Sequence, residues 1–241
     1  MNPGNAALGR GLDALLALST PDAARDGLGV SHLADLLRVD KSQMSRTLAT
    51  LADRGFVTRD PDSLAYRLGW RIFSLAALSG DAPLIAAARP VLLKLVAELG
   101  ESAHLSVRQG DQVLTLATES PAATIHAPGR VGGLTPLATT SAGRALATGL
   151  TDDEVLAAGL TRWTDQIAAA RAQGFAIVRE EFEAGLVSVA APINDATGQV
   201  IAAINVSAPS FRFDDRLEEA APAVAKAAST IGATVGRAST A

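Results

Sequence analysis

The sequence predicts an α+β protein in two parts: helices closed by a short hairpin, then an antiparallel sheet covered by helices. Three observations carry that expectation. Between residues 30 and 55 apolar residues recur at helical spacing on either side of one tight corner. From residue 101 the period falls to two, in short apolar runs parted by turn signals such as Gln109-Gly110-Asp111. Strand and helix patterns are then mixed along the second half with hairpins between them, which suits an antiparallel sheet with helices packed on it.

With 241 residues, two domains of ordinary size are expected. The chain is 48% hydrophobic, with mean hydropathy +0.23, enough for real cores. Much of this is alanine, which favours helices and close packing over large side chains. The absence of cysteine excludes disulfides, thiolate nucleophiles and cysteine zinc sites. No charged-then-apolar leader opens the chain, and no run of about 18 apolar residues occurs. A soluble, cytoplasmic protein with no membrane partner is therefore expected. The net charge of −4 conceals an asymmetry: residues 1–80 hold nine Arg/Lys and eight Asp/Glu, the remainder twelve and seventeen. A nucleic-acid partner would have to be met by a few placed arginines and by dimerisation.

Met1–Ala7 shows no pattern and is expected to fray. Leu8 to Leu18 forms a helix with Leu8, Leu12, Leu15 and Leu16 on one face. Pro21 to Gly29 is expected to be a linker. Ser31 is placed to cap the next helix, with Leu33, Leu36 and Leu37 as its buried stripe. Leu37-Arg38-Val39-Asp40 makes the corner. Asp40 can cap the second helix, with Gln43 at capping-box spacing. In that helix Met44, Leu48 and Leu51 face inward, and Ser42, Gln43, Ser45 and Arg46 face outward. Gly55 ends it.

Residues 56–59 and 64–68 then alternate as strands around Asp60-Pro61-Asp62-Ser63. Two helices joined by a short turn, with small polar and basic groups on the outer first turns of the second, fit a helix-turn-helix. The hairpin is its wing, with Arg59 and Arg67 near the arms, within reach of phosphates. A helix pair alone would be read as an ordinary bundle; the arginine-bearing hairpin turns the balance.

After Leu68 another helix begins, with Trp70, Phe73 and Ala77 on one stripe. Ser79-Gly80-Asp81 breaks it. The expected division is 1–68 for the winged part, 69–81 for a connecting helix and 82–241 for the second domain. There, a helix runs from near Pro83 to Leu99, with Pro90 bending it. His104–Arg108 and Gln112–Ala117 read as a hairpin, residues 122–127 as a third strand, and residues 128–133 as a glycine-rich loop. Pro136 to Thr148 is helical in composition, with Thr139, Thr140 and Ser141 in its early turns. Thr151 opens a helix, and Gly174 ends one that runs from Trp163. Residues 175–178, 186–193 and 199–207 read as strands, and Asp214 to Gly236 as one long helix.

His32, His104 and His126 are scattered, and no metal, phosphate-loop or nucleophile-elbow motif appears. Glu180, Glu181 and Glu183 read as solvated acids. No catalytic pair, metal set or cofactor site is evident. Thr139, Thr140 and Ser141 place hydroxyls at a helix start, where free N–H groups favour a carboxylate; plain capping is the alternative. Ser188, Asn205 and Ser207 are polar within apolar strands, Asn205 and Ser207 on one face. They need partners, whether a bound ligand or backbone.

RGLDALLAL, KSQMSRTLATLADRGFVTRD and YRLGWRIFSLA resemble the N-terminal half of IclR-type transcriptional regulators. PLATTSAGRALA and REEFEAGLVSVAAPINDATGQVIAAINVS resemble the same family's effector domain, which has a GAF-like fold. Two departures stand out: the corner lacks the glycine often found there, and Arg144 stands where lysine is more usual.

The resemblance implies double-stranded operator DNA as partner, with Lys41, Ser42, Gln43, Ser45, Arg46, Arg59 and Arg67 facing it. It also implies a small effector, for which Thr135, Ser141, Ala142, Leu186, Ser188, Asn205 and Ser207 are the matching positions, beside Thr139 from the helix-start argument. Apolar Val178 stands where some members carry an acid. A repressor of a catabolic operon, relieved by a small organic acid, aromatic or aliphatic, is the expectation, as a homodimer or homotetramer. An activator of the same architecture, an enzyme with a helical N-terminal domain, and a ligand-binding module with protein contacts are the rivals.

Overall fold

The computed structural model describes residues 3–77, 82–122 and 131–238. The chain divides into two compact units, Met1–Ala82 and Pro83–Ala241. The expected break at Ser79–Asp81 lies outside the described residues, as do residues 123–130 with His126, most of the expected third strand and the start of the glycine-rich loop.

The first unit runs α1 (Pro3–Ala17), α2 (Pro21–Asp26), α3 (Val30–Leu36), α4 (Lys41–Asp53), β1 (Val57–Arg59), β2 (Tyr66–Leu68) and α5 (Trp70–Ala77). Ala14, Leu18, Leu33, Ala34, Met44, Leu48, Val57 and Tyr66 form its core. Several details differ from the sequence reading. The first helix already begins at Pro3, and its leucines divide between two sides. Ala14 and Leu18 are buried and Leu15 packs on them, while Leu8, Leu12 and Leu16 are exposed.

The expected linker contains α2, started by the Thr20 hydroxyl, which accepts from Ala23 N at 3.3 Å, and by Pro21 in the first turn. It also lays Leu28 against Tyr66 as an extra backbone bridge to the wing. Helix α3 starts two residues early, with Gly29 at its cap in place of Ser31, which lies inside the first turn. Its buried stripe is Leu33 and Ala34 with Leu37 packed alongside; Leu36 points to solvent.

The corner and α4 follow the sequence closely. Asp40 accepts from the amides of Ser42 (2.8 Å) and Gln43 (3.3 Å). The return bond from the Gln43 side chain is not formed among the described residues. Gly55, at φ 74°, turns the chain left-handed after α4. In the wing Val57 faces Leu68 and Arg59 faces Tyr66, antiparallel.

The second unit runs α6 (Ala82–Leu99), β3 (Ser102–Gln109), β4 (Gln112–Glu119), β5 (Leu134–Pro136), α7 (Ser141–Ala147), α8 (Asp152–Ala157), α9 (Thr164–Gln173), β6 (Ala176–Arg179), β7 (Leu186–Asn194), β8 (Val200–Pro209), α10 (Ser210–Phe213) and α11 (Leu217–Ala238). The sheet order is β5-β4-β3-β8-β7-β6, with every neighbouring pair antiparallel.

Two boundaries were misplaced. The helix expected from Pro136 begins at Ser141, because Pro136 pairs with Gln112 in β5 and Thr140 is the cap. The long last helix is interrupted at its start: α10 and one 3-10 turn (Asp214–Arg216) precede α11. Phe213 is fully buried there, and Arg179 of β6 holds both Asp214 (2.8 Å) and Glu218 (2.6 Å) across the interruption.

The period-two pattern gives the sheet two unlike faces. One carries Ala103, Leu105, Val187, Val189, Ala191, Ile204 and Val206 into the main core against α6 and α11. On the other, Ala190, Ala203 and Val113 meet Ala142, Ala145 and Leu146 of α7, with Ile167 of α9 behind. Next to that second core the same face turns polar.

Candidate functional site

In the first unit, α4 presents Lys41, Ser42, Gln43, Ser45 and Arg46 to solvent. The Asp40 carboxylate lies below its ordinary pKa, first through the Ser42 hydroxyl (2.5 Å), then through the amides of Ser42 and Gln43. Ser42 therefore spends its proton on the cap and keeps lone pairs outward. The two wing arginines differ. Arg59 is exposed, with its guanidinium 5.6 Å from the Tyr66 ring centre and a long 3.5 Å bond from Nε to Leu64 O. Arg67 is engaged: it donates to Arg25 O at 3.2 Å and lies 3.5 Å from the Asp60 carboxylate.

In the second unit, the polar part of the sheet floors a cavity of about 550 Å³. Cross-strand register builds the floor in rows. Val178 of β6 stands opposite Ser188 of β7, Ser188 opposite Ser207 of β8, and Ser207 opposite Ser102 of β3. In the next row Asn205 faces His104, and His104 faces Thr118 of β4. Asn205 donates to the Ser207 hydroxyl at 2.9 Å, and His104 Nδ1 lies 3.0 Å from Thr118 Oγ1.

The start of α7 makes one wall, with Thr140, Ser141 and Ala142; Thr135 of β5 contributes beside it. The loop between β6 and β7 brings Phe182 and Glu183 to the cavity, and Leu186 joins them from the start of β7. Gly143 sets the position of α7, since a Cβ there would lie 2.0 Å from Leu137 O.

Of the residues expected around a ligand, Thr135, Ser141, Ala142, Leu186, Ser188, Asn205 and Ser207 all line this cavity, with Val178. Thr139 does not. The hydroxyls of the Thr-Thr-Ser run also differ in availability. Thr140 is spent on capping, donating to Pro136 O (2.8 Å) and accepting from Gly143 N (3.1 Å). Ser141 Oγ is buried and without a partner among the described residues.

His104 was missed, though its place in β3, two residues from Ser102 and Ser106, puts it on the polar face. Burial pushes its pKa down to about 4, so the imidazole is neutral. All three glutamates are exposed, as solvated acids should be, but two of them also have a structural place. Glu181 pairs with buried Arg144, which also donates to Ala138 O at 3.3 Å, and Glu183 lines the cavity.

Glu183 is the one carboxylate and His104 the one imidazole among the described lining residues; no lysine or arginine joins them. No group of three side chains suited to a metal occurs among the described residues, and no described helix is long and apolar enough to cross a membrane. Ligand pockets elsewhere combine such an apolar wall with a few convergent polar groups.

A winged helix-turn-helix followed by an α+β domain with a polar-floored cavity defines a DNA-binding transcriptional regulator with a small-molecule domain. Family models agree: the IclR helix-turn-helix domain matches residues 7–61, and the bacterial transcriptional regulator IclR C-terminal matches residues 76–233. The chain belongs to the IclR family of transcriptional regulators.

HTH-type transcriptional regulator BhcR of Paracoccus denitrificans is 34% identical over 236 residues, covering 91% of this chain and 85% of its own. The Pca regulon regulatory protein of Pseudomonas putida is 32% identical over 197 residues, covering 75% and 67%. An IclR homologue from Microbacterium hydrocarbonoxydans, solved in complex with 4-hydroxybenzoate, shares the fold with a TM-score of 0.80. It is 23% identical, with 96% of this chain and 99% of that one covered.

Proposed function

We propose that this protein represses a catabolic operon and is released from its operator by a small hydroxylated aromatic acid bound in the cavity of the second unit. The observation that carries the reading is Ser141: a buried hydroxyl without a partner, in a wall that faces a floor of Ser188, Asn205 and Ser207. A buried polar group left unpaired is costly, and a ligand oxygen is the partner that the cavity has room for.

The acid end is assigned to Ser141 and the start of α7, where hydroxyl and backbone N–H groups stand in for the cation that the lining does not supply. A ring hydroxyl is assigned to the row of Asn205 and His104. Val178, Ala142 and Leu186 supply apolar wall for the body. The 4-hydroxybenzoate held by the Microbacterium homologue has this combination of groups. Lys41, Ser42, Gln43, Ser45 and Arg46 are proposed to face the major groove, with Arg59, and Arg67 less freely, on the backbone. Repression is favoured over activation because relatives such as AllR of Escherichia coli are repressors.

The test is an electrophoretic shift on DNA from upstream of the protein's own gene, titrated with 4-hydroxybenzoate and a panel of aromatic and short aliphatic acids. Release by one acid, lost in Asn205→Leu, is expected. A shift that no acid changes removes the effector part and leaves DNA binding standing.

A further inference from the structure

We propose that Arg38, at the corner of the helix-turn-helix, is a contact to the DNA backbone that the chain keeps at the expense of its own fold. The inference rests on the DNA-binding reading of the first unit and extends it to a residue outside the recognition helix.

The backbone of Arg38 is left-handed, with φ 53°. Glycine adopts that conformation freely; a residue with a Cβ resists it. The bonds that close the corner are Arg38 N to Asp35 O (3.2 Å) and Val39 N to Ala34 O (2.9 Å), both backbone, and a glycine would make them equally well. The reason for an arginine must therefore lie in its side chain. That side chain returns nothing to the fold. It is exposed, and it makes no hydrogen bond, ion pair or ring contact among the described residues. Asp35, one turn back on α3, is exposed too and does not pair with it among the described residues.

What surrounds the corner points to a polyanion. Arg38 stands two residues before the cap of α4. Lys41 and Arg46, on the first turns of that helix, are likewise exposed and without an ion pair among the described residues. The acid between Arg38 and Lys41, Asp40, already accepts from Ser42 and Gln43. Strain that persists without local return is found at functional positions. An exposed arginine flanking a recognition helix is matched by a duplex phosphate, a contact that adds affinity and fixes register without reading bases.

The experiment uses the full chain and two duplexes of equal length: one selected from a random pool by the wild-type protein, and one unrelated to it. Binding is titrated against salt for wild type, Arg38→Gly, Arg38→Lys and Arg38→Gln, and thermal unfolding is followed in parallel. Arg38→Gly is expected to melt higher than wild type yet bind both duplexes about eightfold more weakly at 0.1 M salt. The slope of log affinity against log salt should flatten by about one. Arg38→Lys should stay close to wild type. Arg38→Gln, which keeps the Cβ, should match the glycine variant in slope and supplies the reading if the glycine variant fails to fold. Unchanged affinity and slope in the folded glycine and glutamine variants would overturn the proposal, as would a loss confined to the glycine variant with no change of slope. A wild-type protein that binds neither duplex would overturn it together with the DNA-binding reading.

Discussion

The guanidinium of Arg144, buried in α7, is paired with the carboxylate of Glu181 in the loop between β6 and β7. Arg144 is 4% exposed and its partner side chain 40%. The pair ties the wall that carries Ser141 to the loop that carries Phe182 and Glu183. Removing Glu181 leaves a buried cation without its acid, whereas removing both charges need not. Glu181→Ala is expected to cost about 1–2 kcal/mol in urea unfolding, between the values for exposed and buried pairs because the acid is 40% exposed, with Arg144→Met/Glu181→Leu recovering part of it. Equal losses in the single and double variants would show that the pair does not act as a unit.

His104 gives the second unit a pH dependence. Unfolded, an imidazole takes its proton near pH 6.5; here burial delays that to about 4. The unfolded state thus binds more protons between those values. Stability is complete above about pH 6.5 and falls as the pH drops toward 4, by up to about 3 kcal/mol. Asp40, Asp60, Glu154, Asp195 and Glu218, all lowered, act in a separate and more acidic window. Unfolding measured at pH 7, 5.5 and 4.5 should show the slope in wild type and a flatter one in His104→Gln. The same slope in both would assign it to other groups.

Arg46 is exposed on the outer face of α4, the best placed of its cations for a bidentate contact to guanine. Arg46→Ala should cost about 1–3 kcal/mol at the selected duplex and much less at others. Arg59→Ala should weaken both alike. Arg67→Ala should do less to DNA than Arg59→Ala, because its guanidinium already serves Arg25 O and Asp60. Competition titrations on the two duplexes separate these cases; an Arg46→Ala protein with full affinity would remove α4 as the reading helix.

The split of the first helix bears on assembly. Leu8, Leu12 and Leu16 stay exposed at successive turns, beside a groove of about 600 Å³ lined in part by Leu15, Leu51 and Phe56. One module with so few cations needs a second to bind tightly. Sedimentation should give a dimer or a multiple of it, and Leu12→Glu should shift it toward the monomer while DNA affinity drops. A wild-type monomer at micromolar concentration, with and without DNA, would contradict the paired reading.

These residues also show what the sequence made legible. The α+β class and the helix-turn-helix with its wing followed from periodicity, and most of the polar floor was visible as Ser188, Asn205 and Ser207 within apolar strands. Helix starts were less legible. Ser31 and Gly29 are both acceptable caps, and only packing of Leu33 and Ala34 chooses between them. Pro136 looks like a helix opener until Gln112 is brought alongside it. The pairing of Glu181 and the place of His104 were not visible because their partners, Arg144 and Thr118, are 37 and 14 residues away. Such long-range pairings leave no local signal.

Thr140 and Ser141 are adjacent hydroxyls with opposite expected roles. Thr140 caps α7, so Thr140→Ala should cost about 1 kcal/mol of stability. Ser141 Oγ is buried and unpaired among the described residues, so its removal spares the empty protein an unsatisfied group. Ser141→Ala should therefore unfold at the same or higher urea concentration than wild type, by about 1 kcal/mol. With ligand the order reverses. If Ser141 holds the acid end, calorimetry against the acid that releases DNA should show a loss of about 1 kcal/mol or more in Ser141→Ala, roughly fivefold in affinity. Thr140→Ala should bind that acid nearly as wild type does once folded. A Ser141→Ala protein that gains no stability and binds the acid undiminished would place the carboxylate elsewhere in the cavity, with Asn205 and Ser207 the next positions to substitute.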